Sequence, residues 1–193
     1  MSFKFGKSRN SDLTKEIISG VEGLSYFPNF LSNKQHQQLI SVLESIDYKV
    51  VSGRPTKYFG LSYTHRKRTH DSEISEIPLF FNLLSPLKLQ FHQLSIEFFR
   101  KDDGHKYITE SPIFDNSVII VCIGSDFMYS MTDGEKTIDF LMESGSLLHI
   151  SGESRKWSRS IKYRIKERFN GLIIPREDFY LFTFRNIKKK LLF

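Results

Sequence analysis

Residues 151–155 read Ser-Gly-Glu-Ser-Arg, and residues 182–185, near the end of the chain, read Phe-Thr-Phe-Arg. A nearly continuous apolar run from Ser117 to Ile123 precedes both segments and is typical of a buried strand. Other stretches that predict short strands lie around these segments, at 94–98, 127–131, 138–142, 146–150 and 179–184. The C-terminal half of the chain is therefore expected to consist of β-strands.

The N-terminal half carries helix signals. Ser32 or Asn33 is a candidate N-cap, and the apolar residues after it keep helical spacing, at Leu39, Ile40, Leu43 and Ile46. A second helical pattern begins at Ile77-Pro78 and continues to Leu84. Two helices followed by many short strands indicate an α+β protein whose β part is a two-sheet jelly roll, although periodicity alone does not select that topology.

Residues 114–125, which contain the apolar run, and the segments 151–155 and 182–185, in this order, resemble the core of the AlkB family of iron(II)/2-oxoglutarate-dependent oxygenases, closest to its tRNA-modifying branch. Residues 26–32 (Tyr-Phe-Pro-Asn-Phe-Leu-Ser) resemble the family's N-terminal entry, and residues 54–63 resemble a segment that forms part of a lid over the substrate base. The resemblance covers residues 24–187. It implies a double-stranded β-helix (jelly roll) core with two N-terminal helices packed on it.

This resemblance also implies domain boundaries. The oxygenase-fold domain is expected at 21–187, between a flexible N-terminal segment at 1–20 and a basic C-terminal tail at 188–193.

Family members hold iron(II) with two His and one carboxylate, and this sequence departs from that ligand set. The positions that correspond to the ligands are Tyr107, Thr109 and Arg159. Neither a phenol nor a Thr hydroxyl is a good iron(II) ligand, and a guanidinium stays protonated without a lone pair to donate. The metal positions are therefore degenerate in this frame.

Two alternatives stay open for the metal. A frame shifted by one residue places Ile108 and Glu110 at the first two ligand positions, which is no better. An unusual site made from His105, His149 and Glu110 is also conceivable, but His149 lies on a predicted strand, where a core histidine is the simpler interpretation.

The co-substrate position is degenerate as well. Phe179 stands where the family has the Arg that pairs with the distal carboxylate of 2-oxoglutarate, whereas Arg185 is retained. An apolar ring would leave that carboxylate unpaired in a confined site, which is costly. Tyr107 and Phe179 are expected to fill the space of iron and 2-oxoglutarate, and Arg159 there would need an anionic partner such as Glu97 or Glu110.

Net charge, cysteine content and the lengths of the apolar stretches indicate which partners and which compartment are expected. The 193 residues carry a formal net charge of +6, which favours a polyanionic partner. Cys122 is the only cysteine, which excludes an intramolecular disulfide and fits a reducing, intracellular compartment. No stretch approaches the roughly 18–20 apolar residues that span a membrane. A cytoplasmic or nuclear location is favoured, with a mitochondrial one as the alternative because residues 1–11 are basic.

Basic residues form three clusters. The first is Arg66, Lys67 and Arg68, and the last is the tail Lys188–Lys190. The middle cluster spans 155–168, where the candidates for nucleic-acid contact are Arg155, Lys156, Trp157, Lys162 and Arg164. Basic residues interleaved with aromatic ones suit phosphate contact and base stacking. The alternative, a solvated charged face, is preferred only for the tail.

Three functions remain in competition. The favoured one is a catalytically inactive AlkB-like protein without cofactors that binds nucleic acid, RNA before DNA, or scaffolds an RNA-modification or processing complex. The second is an active iron(II)/2-oxoglutarate-dependent nucleic-acid demethylase or hydroxylase with atypical ligands. The third is a protein-interaction subunit that does not touch nucleic acid. Iron and 2-oxoglutarate dependence separates the first two, and salt-sensitive nucleic-acid binding separates the first and third.

Overall fold

The computed structural model of the chain describes residues 9–64, 69–75 and 91–188. Within these ranges it contains helices α1 (Arg9–Ser19) and α2 (Asn33–Leu43), and a 3-10 helix at Gly152–Lys156. Its strands are β1 (Leu24–Phe27), β2 (Lys49–Val51), β3 (Arg54–Thr64), β4 (Thr69–Ser75), β5 (Gln93–Phe99), β6 (His105–Ile108), β7 (Phe114–Ile123), β8 (Phe127–Thr132), β9 (Thr137–Met142), β10 (Leu147–Ser151), β11 (Ser158–Ile161), β12 (Lys166–Phe169), β13 (Leu172–Pro175) and β14 (Phe179–Ile187).

The strands form two main antiparallel sheets. The larger has the order β1-β10-β7-β14-β5-β3-β2, with β4 paired to β3, and the smaller has the order β6-β11-β8-β9. Strands β12 and β13 form a separate hairpin. Neighbours in each sheet are mostly distant in the chain, so the chain crosses repeatedly between the sheets. This arrangement confirms the α+β class and the jelly-roll core.

Strand β7 shows why the apolar run is continuous. Val118, Ile120 and Cys122 face the core between the two sheets, together with residues of β8 and β9. The intervening residues face the opposite side of the larger sheet, where helix α2 covers Ile119, Val121 and Ile123. Because successive side chains of a strand point to opposite faces, a strand covered on both faces has no polar alternation.

Helix α2 begins where the sequence predicts it. The Ser32 hydroxyl accepts a hydrogen bond from the Gln35 backbone N–H, and the Gln35 side chain accepts one from the Ser32 N–H, which completes a capping box. Leu39 and Leu43 are fully buried against the larger sheet. The cap and the apolar face together fix this helix on the outside of the sandwich.

Of the N-terminal segment 1–20, the structure describes residues 9–20. Residues 9–19 form helix α1, which packs against β1 and β9. Ile18 joins the core between the sheets, and the Thr14 hydroxyl donates a hydrogen bond to the Leu141 carbonyl at 3.3 Å. The helix is mostly polar, so tertiary contacts rather than an apolar pattern hold it in place.

Several strands were not predicted, because their polar sequences hide the pattern. The segment that resembles a lid forms β3, which pairs with β5 in the larger sheet, with Thr56 opposite Glu97. The second helical pattern, 77–84, and the basic residues Arg66–Arg68 lie outside the described residues.

None of the helices that the structure describes is long and apolar enough to cross a bilayer.

Candidate functional site

Adjacent strands β5 and β14 line the interior of the sandwich, and the two ends of this strand pair differ in character. Phe99 pairs with Phe179 at one end, and Gln93 pairs with Arg185 at the other. Side chains at every second position share a face, so residues 179, 181, 183 and 185 point the same way. One end of the interior is therefore aromatic, and the other is polar.

The polar end holds a buried carboxylate between two guanidinium groups. Glu110, which follows β6, accepts a hydrogen bond from Arg159 Nη2 at 2.5 Å. Arg185 Nε lies 3.1 Å from Oε1 and 3.0 Å from Oε2 of the same carboxylate. Arg185 Nη1 also donates to Ser95 Oγ at 2.7 Å. The Glu110 and Arg159 side chains are each only 5% exposed, so these contacts are shielded from solvent.

A third guanidinium completes what we call the arginine cluster (Glu110, Arg155, Arg159 and Arg185). Arg155 Nη2 donates to the Ser111 carbonyl at 3.0 Å, and this residue is 9% exposed. Burial raises the pKa of Glu110, but the charges of Arg185 and then Arg159 outweigh it and hold that pKa well below its usual range. The Glu110 carboxylate is therefore ionised throughout the physiological range.

The remaining predicted metal positions are exposed, and their side chains do not join the ion pairs of this cluster. Tyr107 is 49% exposed on β6, so its ring does not fill interior space as expected. Thr109 is also exposed, and its hydroxyl lies 3.0 Å from Ser158 Oγ. Ile108 lies opposite Arg159 in the sheet and is 48% exposed. The sequence reading offered Glu97 or Glu110 as the anionic partner of Arg159, and the structure selects Glu110 for the ion pair.

The aromatic end is a stack of rings that we call the aromatic column (Phe99, Phe179, Phe127 and Tyr129). Phe179 is fully buried, with its ring centroid 4.7 Å from that of Phe99 and 4.5 Å from that of Phe127. Tyr129 meets Phe127 edge-on at 6.0 Å. The Arg54 guanidinium, paired with Glu97, lies 3.9 Å from the centre of the Phe99 ring. Packed rings therefore occupy this end of the interior.

Sequence reasoning missed a second buried ion pair close to the column. Arg176 and Glu167 are both fully buried and lie 3.0 Å apart. Arg176 Nη1 donates to the backbone carbonyls of Asp103, Lys162 and Arg164. These bonds fasten the β12–β13 hairpin to the loop before β6. No local sequence pattern marks the pair, because its partners come from three separate segments.

The middle basic cluster does not form one charged face. Arg155 and Arg159 point into the interior, and Trp157 packs against the core between the sheets. The others pair with acids: Lys156 with Glu153, Lys162 with Asp139 and Arg164 with Glu167. Arg66–Arg68 lie outside the described residues, and of the tail only Lys188 lies within them. Nucleic-acid contact by these residues stays a prediction.

No protein-family model matches the sequence, and no curated protein matches it either. Several solved structures, in contrast, are similar to this chain in fold. The chain is similar to OsALKBH1 with a TM-score of 0.67 at 13% identity, over 85% of this chain and 96% of that one. The fold is that of the 2-oxoglutarate/iron(II) oxygenases. An oxidoreductase of this family from Burkholderia pseudomallei gives a TM-score of 0.59 at 11% identity, over 95% and 93% of the two chains. A prolyl-4-hydroxylase from Pseudomonas putida gives a TM-score of 0.54 at 11% identity, over 91% of this chain and 98% of that one.

The iron that this fold implies does not fit the side chains. Within 9–64, 69–75 and 91–188, no three His, Cys, Asp or Glu residues are grouped so that they could hold a metal ion. The atypical site of His105, His149 and Glu110 is not assembled, since His149 Nε2 lies 2.9 Å from Ser117 Oγ. Arg159 and Arg185 already bind the Glu110 carboxylate, and their charges would repel a cation there.

The co-substrate 2-oxoglutarate does not fit either. The resemblance places the partner of its distal carboxylate at residue 179, and there the Phe179 ring lies between two other rings. The nearby Arg176 guanidinium, 5.7 Å from the centre of that ring, is already bound to Glu167 and to carbonyls. A carboxylate at this end would therefore face apolar surface, where an unpaired charge is strongly disfavoured.

Proposed function

We propose that this protein keeps the oxygenase fold without its chemistry, and that it binds nucleic acid, RNA in preference to DNA, or scaffolds an RNA-modification or processing complex. The observation that carries the first part is the pairing of Arg159 with Glu110 at 2.5 Å. The guanidinium supplies, from within the chain, the positive charge that a buried carboxylate requires. A metal at this point would have to displace a charge-assisted hydrogen bond from a buried pair.

Nucleic-acid binding is supported by charge and by local chemistry. The net charge of +6 attracts a polyanion. Arg66, Lys67 and Arg68 are three consecutive cations. Tyr163 is 65% exposed beside the exposed Lys162, an arrangement that suits stacking of a base next to a phosphate contact. The similarity to OsALKBH1 concerns the fold alone and supports no particular substrate.

A specific observation favours the scaffolding role. Four large apolar side chains are exposed on the β12–β13 hairpin and the segment before it: Tyr163, Ile165, Leu172 and Ile173. Arg176, which is paired with Glu167, ties this hairpin to the loop before β6 through its hydrogen bond to the Asp103 carbonyl. Exposed apolar side chains that are grouped on a rigid element are typical of protein-interaction sites. The hairpin is therefore the surface that would meet a protein partner.

Manganese together with N-oxalylglycine, an inert analogue of 2-oxoglutarate, is expected to leave the thermal midpoint of this protein unchanged. Ligands at 100 times their dissociation constant would stabilise the folded state by about 2.7 kcal/mol if they bound only that state. The Pseudomonas putida prolyl-4-hydroxylase, measured alongside, is the positive control. A midpoint that rises only when both additives are present would instead support an active demethylase or hydroxylase with atypical ligands.

RNA binding is expected to weaken steeply with salt, and replacing Arg66, Lys67 and Arg68 with Ala should reduce that dependence. Each phosphate contact contributes about 0.7 to the slope of log affinity against log salt for single strands, so the loss is about 2. Fluorescence anisotropy with a labelled single-stranded RNA measures it. The control removes three exposed lysines elsewhere, Lys15, Lys34 and Lys49. Absence of binding by the wild type would leave protein interaction as the function.

A further inference from the structure

A cavity of about 450 Å³ lies beside the arginine cluster. The segment between β6 and β7, the start of β7, the 3-10 helix and the end of β14 enclose it. Its polar lining comes from Thr109, Glu110, Asp115, Asn116, Arg155, Lys156 and Lys188. Asn116 and Lys156 are exposed at its mouth, whereas Arg155 is 9% exposed in its wall. The cavity therefore leads from solvent to a buried guanidinium.

The charges around this cavity do not balance. Arg155, Arg159 and Arg185 surround the single carboxylate of Glu110, so two positive charges remain without a buried partner. Asp115 is the other acid whose charge acts on Arg155; it lines the same cavity but is exposed to solvent, which screens its charge. A buried charge without a counter-ion is costly. Burial lowers the pKa of Arg155 despite the attraction of Glu110, which agrees with incomplete compensation.

Hydrogen-bond donors in the cluster are also left over. Arg155 Nε and Arg159 Nη1 are buried and have no hydrogen-bond partner among the residues that the structure describes. At the mouth, the Lys188 ammonium forms no salt bridge within the same part of the chain, although its backbone N–H is bonded to the Ile113 carbonyl. Buried donors are satisfied in almost all native proteins, so unpaired guanidinium atoms beside a cavity point to an acceptor.

We propose that this cavity binds a phosphate group, with Arg155 at its inner wall and Lys188 at its mouth as charge partners, and with Asn116 as a further donor. A phosphate is a compact anion with several acceptor oxygens, and it can meet cations and an amide that approach from different sides. This inference rests on the proposed nucleic-acid binding, since the backbone or a terminal phosphate of RNA is one source. Free inorganic phosphate is the other.

The test uses the full chain and measures thermal midpoints in sodium phosphate against sodium chloride at equal ionic strength. We expect phosphate to stabilise the wild type more than chloride does. Lys188→Gln should weaken the phosphate affinity by about tenfold, the effect of one charge-assisted hydrogen bond, and Asn116→Asp by more, because it adds a negative charge. Lys34→Gln, an exposed lysine on α2, is the matched control and should bind like the wild type.

A second arm identifies the source. The same variants are titrated with one RNA sequence that carries a 5′-phosphate or a 5′-hydroxyl. Equal tenfold losses with both RNAs indicate a backbone phosphate, and a loss confined to the phosphorylated RNA indicates the terminal group. Phosphate stabilisation that Lys188→Gln loses and Lys34→Gln keeps, without RNA binding, supports the site for free phosphate while removing the proposed nucleic-acid role. Because phosphate also stabilises folded proteins non-specifically, Lys188→Gln matching Lys34→Gln in phosphate overturns the site even if the wild type binds RNA.

Discussion

Replacing Glu110 with Gln is expected to lower the free energy of unfolding by about 3–5 kcal/mol. The substitution keeps the shape of the side chain but leaves Arg159 and Arg185 buried without a counter-charge. Removing one partner of a buried pair costs more than the pair contributed, because the remaining charge stays desolvated. Urea denaturation at pH 7, followed by circular dichroism, measures the loss.

The matched control is Glu153→Gln, which removes an ion pair with Lys156 whose side chains are 62% and 73% exposed. Surface pairs contribute little, so the change there should stay below about 1 kcal/mol. If the Glu110 variant behaved like this control, the buried cluster would not be the element that stabilises the polar end.

The ion pairs of Glu110 should also make the stability of the wild type depend on pH in the acid range. Glu110 has a folded-state pKa below the unfolded value of about 4.3, so the unfolded chain binds the proton first. The stabilisation is therefore complete above that value and is lost as the pH falls through it toward the folded-state pKa. Urea midpoints between pH 7 and pH 3 should fall more steeply for the wild type than for Glu110→Gln.

Replacing Phe179 with Ala is expected to cost about 3–5 kcal/mol. The ring is fully buried between Phe99 and Phe127, and its removal leaves a cavity that the rigid strands on either side cannot close. Two stacking contacts disappear as well. Guanidinium denaturation measures the difference in unfolding free energy between the variant and the wild type.

Phe27→Ala on β1 is the control, since this ring is 50% exposed and its loss should cost less than about 1 kcal/mol. A cost below 1 kcal/mol for the Phe179 variant would contradict a packed aromatic column. It would indicate an interior open enough to admit a ligand, which is what an active oxygenase needs.

The strands that sequence analysis located are those whose patterns are local. The run in β7 is apolar because both faces of that strand are covered. Helix α2 is predicted by the N-cap residue Ser32 and by the helical spacing of the apolar residues after it. Strand β11 was missed because Arg159 and the serines around it look like an exposed segment. Helix α1 was missed for the same reason, since only a few of its residues contact the core.

Some features of the candidate site can likewise be predicted from the sequence, and others depend on the tertiary structure. The order of the motifs predicts that Arg159 and Phe179 stand at functional positions of the resembled family. Residue identity alone then excludes a guanidinium as a metal ligand and a phenyl ring as a carboxylate partner. The outward direction of Tyr107 was not readable, since it depends on the register of β6 against β11. A shift of one residue reverses the face of every side chain on a strand.

The sequence by itself determined the main strands and the α+β class, because these follow from local residue identity and spacing, whereas its resemblance to a known family predicted the jelly-roll core and the absence of the expected ligand types. Only the tertiary structure decided that Glu110, 49 residues from Arg159 and 75 from Arg185, is their shared partner. It likewise brought Arg155 and Lys188 to one cavity. Contacts between residues so far apart in the chain follow from strand pairing across two sheets, which no local pattern encodes.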